Sequence, residues 1–271
     1  MLAPAQLWEA IGGTQVAPGT LSMWWLYQAG LVVKSPGGTV IAIDPYLSDA
    51  VIRSYQQPRA VPAPIDPAQA VLDALLASHS HEDHLDPDSI TPFMSHEGTR
   101  FIGPPMAVAK VLATGVAPER AVPLARGDVV AVGDLTVRAV KARHDFALEP
   151  TPDAVGYVVG HGDVSIYHSG DTEYDSEIVA DTPRPSASLI AINGTAGNMN
   201  AHEAAMLAWR QETRLAIPFH YGLWRDEGYG EGATLDPAVF VDTYHRLGPG
   251  RPTFVLSPGE EVVIGAEGLV R

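Results

Sequence analysis

Three of the chain's 10 histidines, His79, His81 and His84, fall within six positions, and with Asp83 they spell H-x-H-x-D-H. In an extended segment, residues two apart point the same way, so His79 and His81 can reach one metal ion. A turn into a helix directly afterwards would redirect Asp83 and His84 toward a second ion. Imidazole and carboxylate donors suit Zn, Mn or Fe. One cluster does not fill two coordination spheres, and three further donors stand just past apolar, strand-like runs. They are His144, Asp171 in Ser169-Gly170-Asp171-Thr172, and His220 in Pro218-Phe219-His220-Tyr221. Taken singly, these read as a loop residue, a turn or helix cap, and a core histidine. Their shared place beyond a buried strand groups them into one site.

Strands must carry these donors, and the apolar pattern supplies them. Runs at 23–27, 30–34 and 39–43 are strand-like, punctuated by Gly30 and by Pro36-Gly37-Gly38. Residues 45–68 read as a long, Pro-rich loop. The run 72–78 is a buried strand leading into the histidine cluster, and 100–103 is another. Gly133-Asp134 between 128–132 and 135–142 signals a hairpin. A second pair, 155–159 and 164–168, surrounds Gly162-Asp163, and strands at 187–192, 215–219, 253–256 and 261–264 follow. Helices are expected at 4–11, 104–114, 201–212 and 237–247, the third opened by a capping box of Asn200 and Glu203. Strands before, between and after helices suit a layered α/β sandwich better than a strict βαβα repeat. No composition break divides the chain, so residues 1–271 read as one domain.

Composition narrows the function. The 46% hydrophobic and 18% charged residues are those of an ordinary globular protein. With no cysteine, a thiolate zinc site, an iron–sulfur cluster, a disulfide scaffold and a Cys nucleophile are all excluded. Seventeen basic against 32 acidic residues give a net charge of −15, which repels phosphate backbones and anionic lipid. The expected partner is a small-molecule substrate, not nucleic acid or membrane. The first basic residue is Lys34 and no apolar stretch is long enough to span a bilayer, so a cytoplasmic location is expected. A homo-oligomer is expected on general grounds, though no interface stripe stands out.

The set His79, His81, Asp83, His84, His144, Asp171 and His220, in this order, resembles the metallo-β-lactamase superfamily. Asp44, ending the run 39–43, matches that superfamily's first motif, whose Asp supports the metal loop without binding metal. Segments 16–26, 34–39, 101–104, 127–130, 166–172 and 217–220 resemble most the L-ascorbate-6-phosphate lactonase group. The resemblance implies a four-layer αββα sandwich with the site at one edge between two sheets. It implies a first metal on His79, His81 and His144, a second on Asp83, His84 and His220, and Asp171 bridging both. Two divalent ions, Mn or Zn with Fe as a third option, would deliver hydroxide from a shared water to a lactone or ester carbonyl. Asp83 would also orient that hydroxide.

The functional expectation is therefore a dinuclear metal-dependent hydrolase, lactonase-like, acting on a small lactone or ester, phosphorylated or otherwise acidic substrates included. The alternatives are a small-molecule phosphodiesterase on the same site and a non-catalytic metal-binding sensor. Two further residues are counted with the catalytic set. His168, just before Ser-Gly-Asp, would orient a ligand or touch substrate, and Tyr221 would hydrogen-bond substrate or leaving group. His202 is read as surface, Trp24 and Trp25 as core, and Arg143 and Arg225 as solvated surface, with anion binding as their alternative. His96, His161 and His245 are given no role.

Overall fold

Residues that alternate along a strand alternate between two apolar layers. In β1 (Thr20–Trp25), Leu21, Met23 and Trp25 enter one layer while Trp24 enters another. β2 (Leu31–Lys34) and β3 (Val40–Ile43) divide in the same way, with Leu31, Val33, Ile41 and Ile43 on the first side and Val32, Val40 and Ala42 on the second. A sheet apolar on both faces needs cover on both faces. That cover comes from a second sheet on one side and helices on the other.

The structure, a computed structural model, describes residues 4–270. Along the chain follow β4 (Ala74–Leu76), β5 (Arg100–Gly103), β6 (Ala121–Pro123), β7 (Val129–Val132) and β8 (Leu135–Lys141). Then come β9 (Val155–His161), β10 (Val164–His168), β11 (Ala187–Ala191), β12 (Ala216–Phe219), β13 (Glu261–Gly265) and β14 (Gly268–Leu269). The first sheet has the order β14-β13-β1-β2-β3-β4-β5-β6 and the second β12-β11-β10-β9-β8-β7. Between them lies the largest core, where Met23, Ile43 and Leu76 meet Tyr157, Leu189 and Phe219. The helices are α1 (Pro4–Gly13), α2 (Val51–Tyr55), α3 (Pro87–Met94), α4 (Pro105–Leu112), α5 (Ser176–Asp181), α6 (Ala201–Arg210) and α7 (Pro237–Leu247). Apolar faces of α1, α3 and α4 cover the outside of the first sheet. Those of α5, α6 and α7 cover the outside of the second. This is the αββα sandwich expected from the resemblance.

Strand direction gathers the donors. β3, β4 and β5 run parallel, as do β10, β11 and β12. β8 is antiparallel to β9 and β9 to β10, so β8 shares the direction of β10. Asp44, the histidine cluster, His144, Asp171 and His220 follow the ends of β3, β4, β8, β10 and β12. All emerge along one edge of the sandwich, the usual place for a site in an α/β protein. At the other end of β3 and β8, Asp134 joins the two sheets. Its carboxylate accepts the Thr39 hydroxyl at 2.6 Å, the Gly37 N–H at 2.9 Å and the Ser35 hydroxyl.

Several expectations change. The chain between the histidine cluster and 100 holds α3, capped by Asp86, whose side chain accepts the Asp88 N–H. The loop at 45–68 contains the short α2, and α5 and β6 also went unforeseen. The strand at 253–256 reduces to one bridge between Thr253 and Ala216. The strand at 72–78 shortens to Ala74–Leu76, because the chain beyond leaves the sheet to build the site.

Candidate metal centre

Asp44 begins the assembly. It sits in the left-handed region (φ 48°), which a non-glycine residue rarely adopts, just past Ile43, which pairs with Leu76 of β4. That conformation turns its carboxylate onto the neighbouring strand end. Oδ1 accepts the Ser78 N–H and Oδ2 the Ser78 hydroxyl, each at 2.6 Å, and Oδ2 also accepts His84 Nδ1–H at 2.8 Å. Further along, Asp86 accepts N–H groups of Leu47 and Ser48 at 2.9 Å, so both ends of the loop are tied down. Gly170 allows the second sheet to approach. Its φ is +57°, and a Cβ there would lie 2.6 Å from that of Ser78.

Around this frame the imidazoles are oriented from behind. His81 donates Nε2–H to the Glu149 carbonyl at 2.7 Å, and His144 donates Nδ1–H to the Gly197 carbonyl at 3.2 Å. His79 Nδ1 lies 3.0 Å from Ser78 Oγ. Their other nitrogens converge, with His81 Nδ1 2.9 Å from His79 Nε2 and 3.1 Å from His144 Nε2. In the second half, His84 Nε2 and His220 Nε2 are 3.2 Å apart. Asp171 Oδ1 lies 2.8 Å from His220 Nε2 and 3.2 Å from His84 Nε2, while Asp83 Oδ2 is 3.5 Å from His84 Nε2. Asp171 Oδ2 faces the first half, 3.9 Å from His144 Nε2, and accepts the Asn198 amide at 2.7 Å. His220 itself is held at φ 72°.

These donors fit divalent cations. Three groups have ligand atoms close enough to share an ion: His79/His81/His144, His79/His84/Asp171 and Asp83/His84/His220. Burial and the neighbouring imidazoles push His79 well below its ordinary value, and burial lowers His144, which favours the neutral ring in both. Burial opposes charge on Asp171, but His220 and His84 outweigh it and hold the carboxyl well below its usual range. Burial also opposes charge on His84, yet Asp171, Asp83 and Asp44 raise it well above its usual value. Neutral imidazole and ionised carboxylate are the ligating forms, so a cation would take the place of the proton that these carboxylates favour on His84. With the outer nitrogens of His79, His81, His84 and His144 engaged, the inward lone pairs face one another, and a cation would satisfy them together.

The structure brings all seven expected donors into this cluster. The two other expected residues, His168 and Tyr221, do not line the cavity beside it. His168 is fully buried, donating Nε2–H to the Ala29 carbonyl at 2.8 Å and accepting the Gly170 N–H at 3.1 Å. With both ring nitrogens on backbone it holds the Asp171 turn, which fits the ligand-orienting role of the two expected for it. Tyr221 packs on Trp25 with ring centroids 5.1 Å apart, and burial raises its phenol to about 12. It is absent from the lining of the cavity beside the cluster, a space of about 300 Å³.

Other side chains take up positions that sequence reasoning missed. Two phenols, Tyr55 and Tyr229, line the cavity, and the Tyr229 hydroxyl donates to Gln28 Oε1 at 2.9 Å. Gln28 Nε2 in turn lies 3.3 Å from Asp83 Oδ2 and 3.2 Å from His220 Nε2. Glu149 links three elements. Its carbonyl holds His81, and its carboxylate accepts Tyr55 of α2 at 3.0 Å and Lys110 of α4 at 3.2 Å. No local pattern marks Gln28, Glu149 or Asn198. Trp24 and Trp25 are core residues, as expected, and Arg143 is ion-paired with Asp145 and Glu173. No helix among the described residues is long and apolar enough to cross a membrane.

Comparison with known proteins agrees with this geometry. Residues 39–221 match the family model described as a beta-lactamase superfamily domain, so the chain belongs to that family. It is a hydrolase of the metallo-β-lactamase superfamily. A protein named probable L-ascorbate-6-phosphate lactonase UlaG, from Salmonella heidelberg, is 29% identical over 262 residues, covering 80% of this chain and 73% of its own. Two solved structures share the fold. A metallo hydrolase from the archaeon Ignicoccus hospitalis has a TM-score of 0.67 at 20% identity, covering 90% of this chain and 98% of that one. An isothiocyanate hydrolase from Delia radicum gut bacteria has a TM-score of 0.68 at 17% identity, covering 90% and 99%.

Proposed function

We propose that this hydrolase opens a small lactone or cleaves a small ester, using two divalent ions, Mn or Zn, held by seven side chains. His79, His81 and His144 would hold the first ion and Asp83, His84 and His220 the second, with Asp171 within reach of both. The observation that carries this reading is Asp171, whose two oxygens face the two halves of the cluster from one buried position. When bound, such ions supply Lewis acidity and lower the pKa of water toward neutrality. The chain's own groups do the rest. Asp83, on the cavity wall and steadied by Gln28, orients the attacking water by accepting its hydrogen bond. Asn198 fixes the Asp171 carboxylate, and Asp44, Glu149 and Gly197 keep three imidazoles in the ligating tautomer.

The test is elemental analysis of the purified protein with hydrolysis of a lactone and ester panel before chelation, after it, and after metal add-back. About two ions per chain, activity lost to chelator and regained with Mn or Zn, and less metal in Asp171→Ala are expected. Bis(p-nitrophenyl) phosphate is assayed alongside. Turnover of that diester alone would replace the lactonase reading with a phosphodiesterase, and two ions with no turnover of any substrate would replace it with a metal sensor.

A further inference from the structure

The charge balance of the cavity beside the cluster bears on whether its substrate is phosphorylated. Among the described residues, the charged side chains of its lining are Asp83 and Asp171, both committed to the cluster, and no lysine or arginine joins them. Recognition of a phosphate or carboxylate remote from the reacting carbonyl calls for such a cation, or for free N–H groups at a helix start. Three nearby cations are engaged, and Arg225, next to the wall residue Trp224, is exposed and does not line the cavity. Lys110 reaches the Ser80 carbonyl at 2.6 Å and Glu149, Arg143 pairs with Asp145 and Glu173, and Arg53 forms a two-pronged pair with Asp88. The start of α6, which follows the wall residue Asn198, is closed by its own capping box. Away from the ions, an anionic tail would leave water for a wall whose lining offers it no lysine or arginine.

What the wall does offer is apolar and aromatic surface. Phe146 stands edge-on to His81 at 5.7 Å, beside the first group of donors. Trp224 is braced by Tyr229 at 5.2 Å and Tyr46 at 6.3 Å, so its ring is held in place before a ligand arrives. Val51 and Tyr55 complete that side, and Asn193 and Thr195 add neutral polar groups. A space of about 300 Å³ lies at the small end of ligand pockets and matches a ring with one substituent.

Building on the hydrolase reading, we infer that the substrate is an uncharged lactone or ester whose non-reacting part is aromatic or aliphatic, gripped by Phe146 and Trp224. This departs from the phosphorylated substrate that the sequence resemblance allowed. The experiment compares, on metal-loaded full-length protein, a γ-lactone bearing a phenyl group with the same lactone bearing a phosphorylated hydroxymethyl group. The matching lactams, which do not open under the assay, are titrated by calorimetry. The phenyl lactone is expected to show kcat/KM at least about tenfold higher, and its lactam to bind tighter by a similar factor. Phe146→Ala and Trp224→Ala should each raise KM for the phenyl lactone several-fold more than they lower kcat, with Trp224→Phe recovering most of the loss. Equal or better turnover or binding of the phosphorylated partner overturns the inference and leaves the hydrolase reading standing. Tighter phenyl lactam without turnover of either lactone overturns the hydrolase reading and supports the preference for a neutral ligand.

Discussion

Asp44 touches no substrate, yet three groups of the site hang from its two oxygens: the Ser78 N–H, the Ser78 hydroxyl and His84 Nδ1–H. It presents acceptors only, which is what all three donors require. In Asp44→Asn one oxygen becomes an NH₂ group that faces the Ser78 hydroxyl and the His84 N–H, donor against donor. Groups of this kind behind metal ligands typically control 10- to 100-fold in metal affinity. Asp44→Asn is expected to weaken metal binding by about that factor, measured by competition with a chromophoric chelator, while the circular dichroism of the fold persists. Unchanged affinity would mean that the loop holds His84 without Asp44. His168 supports the site in the same indirect way. The sequence puts it beside Ser-Gly-Asp as though it belonged to the chemistry, but both its nitrogens serve backbone. A histidine's neighbours in sequence do not say which way its ring turns.

At the scale of elements, the donors were legible because each stands where an apolar run ends, and a strand end announces itself in the sequence. The supports were not. Gln28 and Tyr229 meet across 201 residues, and Glu149 reaches His81 across 68, so no window of sequence contains either pair. α3 escaped for a local reason. Asp86 and Pro87 form a readable helix start, but Pro92 lies inside the helix, where it normally breaks one. The hairpin at Gly133-Asp134 was legible as a turn and not as a clasp. Gly133 has φ +55° and leaves no room for a Cβ against Thr39, and Asp134 accepts from the turn between β2 and β3. Burial opposes the Asp134 charge, but the Ser35 and Thr39 hydroxyls and the Gly37 N–H outweigh it and hold the carboxyl below its ordinary 3.8. A depressed folded value means that this contribution is full above about pH 4 and fades as acid takes the pH through the folded value. Asp134→Asn is expected to lose about 2 kcal/mol of stability at neutral pH and to show a flatter fall in stability below pH 4. Denaturant titrations at pH 7 and pH 3 check both, and a parallel fall in the two proteins would show that the clasp does not depend on charge.

Across the whole molecule, the seven donors divide between the sheets. His79, His81, Asp83 and His84 come from the first, and His144, Asp171 and His220 from the second. Protein contacts also cross there, since the Tyr157 hydroxyl donates to the Ala77 carbonyl at 2.8 Å and the Val155 N–H to the Ser78 carbonyl at 3.0 Å. Cations would add a second set of ties at that edge. Asp134 ties the other edge, and β8, seven residues and roughly 23 Å long, separates the two. Perturbations that far apart, with no shared partner, act independently. Chelation at neutral pH should therefore speed amide hydrogen exchange in residues 78–86 and 169–172 and leave 35–40 and 133–136 unaffected, while Asp134→Asn does the reverse. Applied together they should add, and acceleration of both edges by chelator alone would show a single cooperative unit instead. The two ends of one β-sandwich then answer to separate signals: the supply of a metal at one, and the proton concentration at the other.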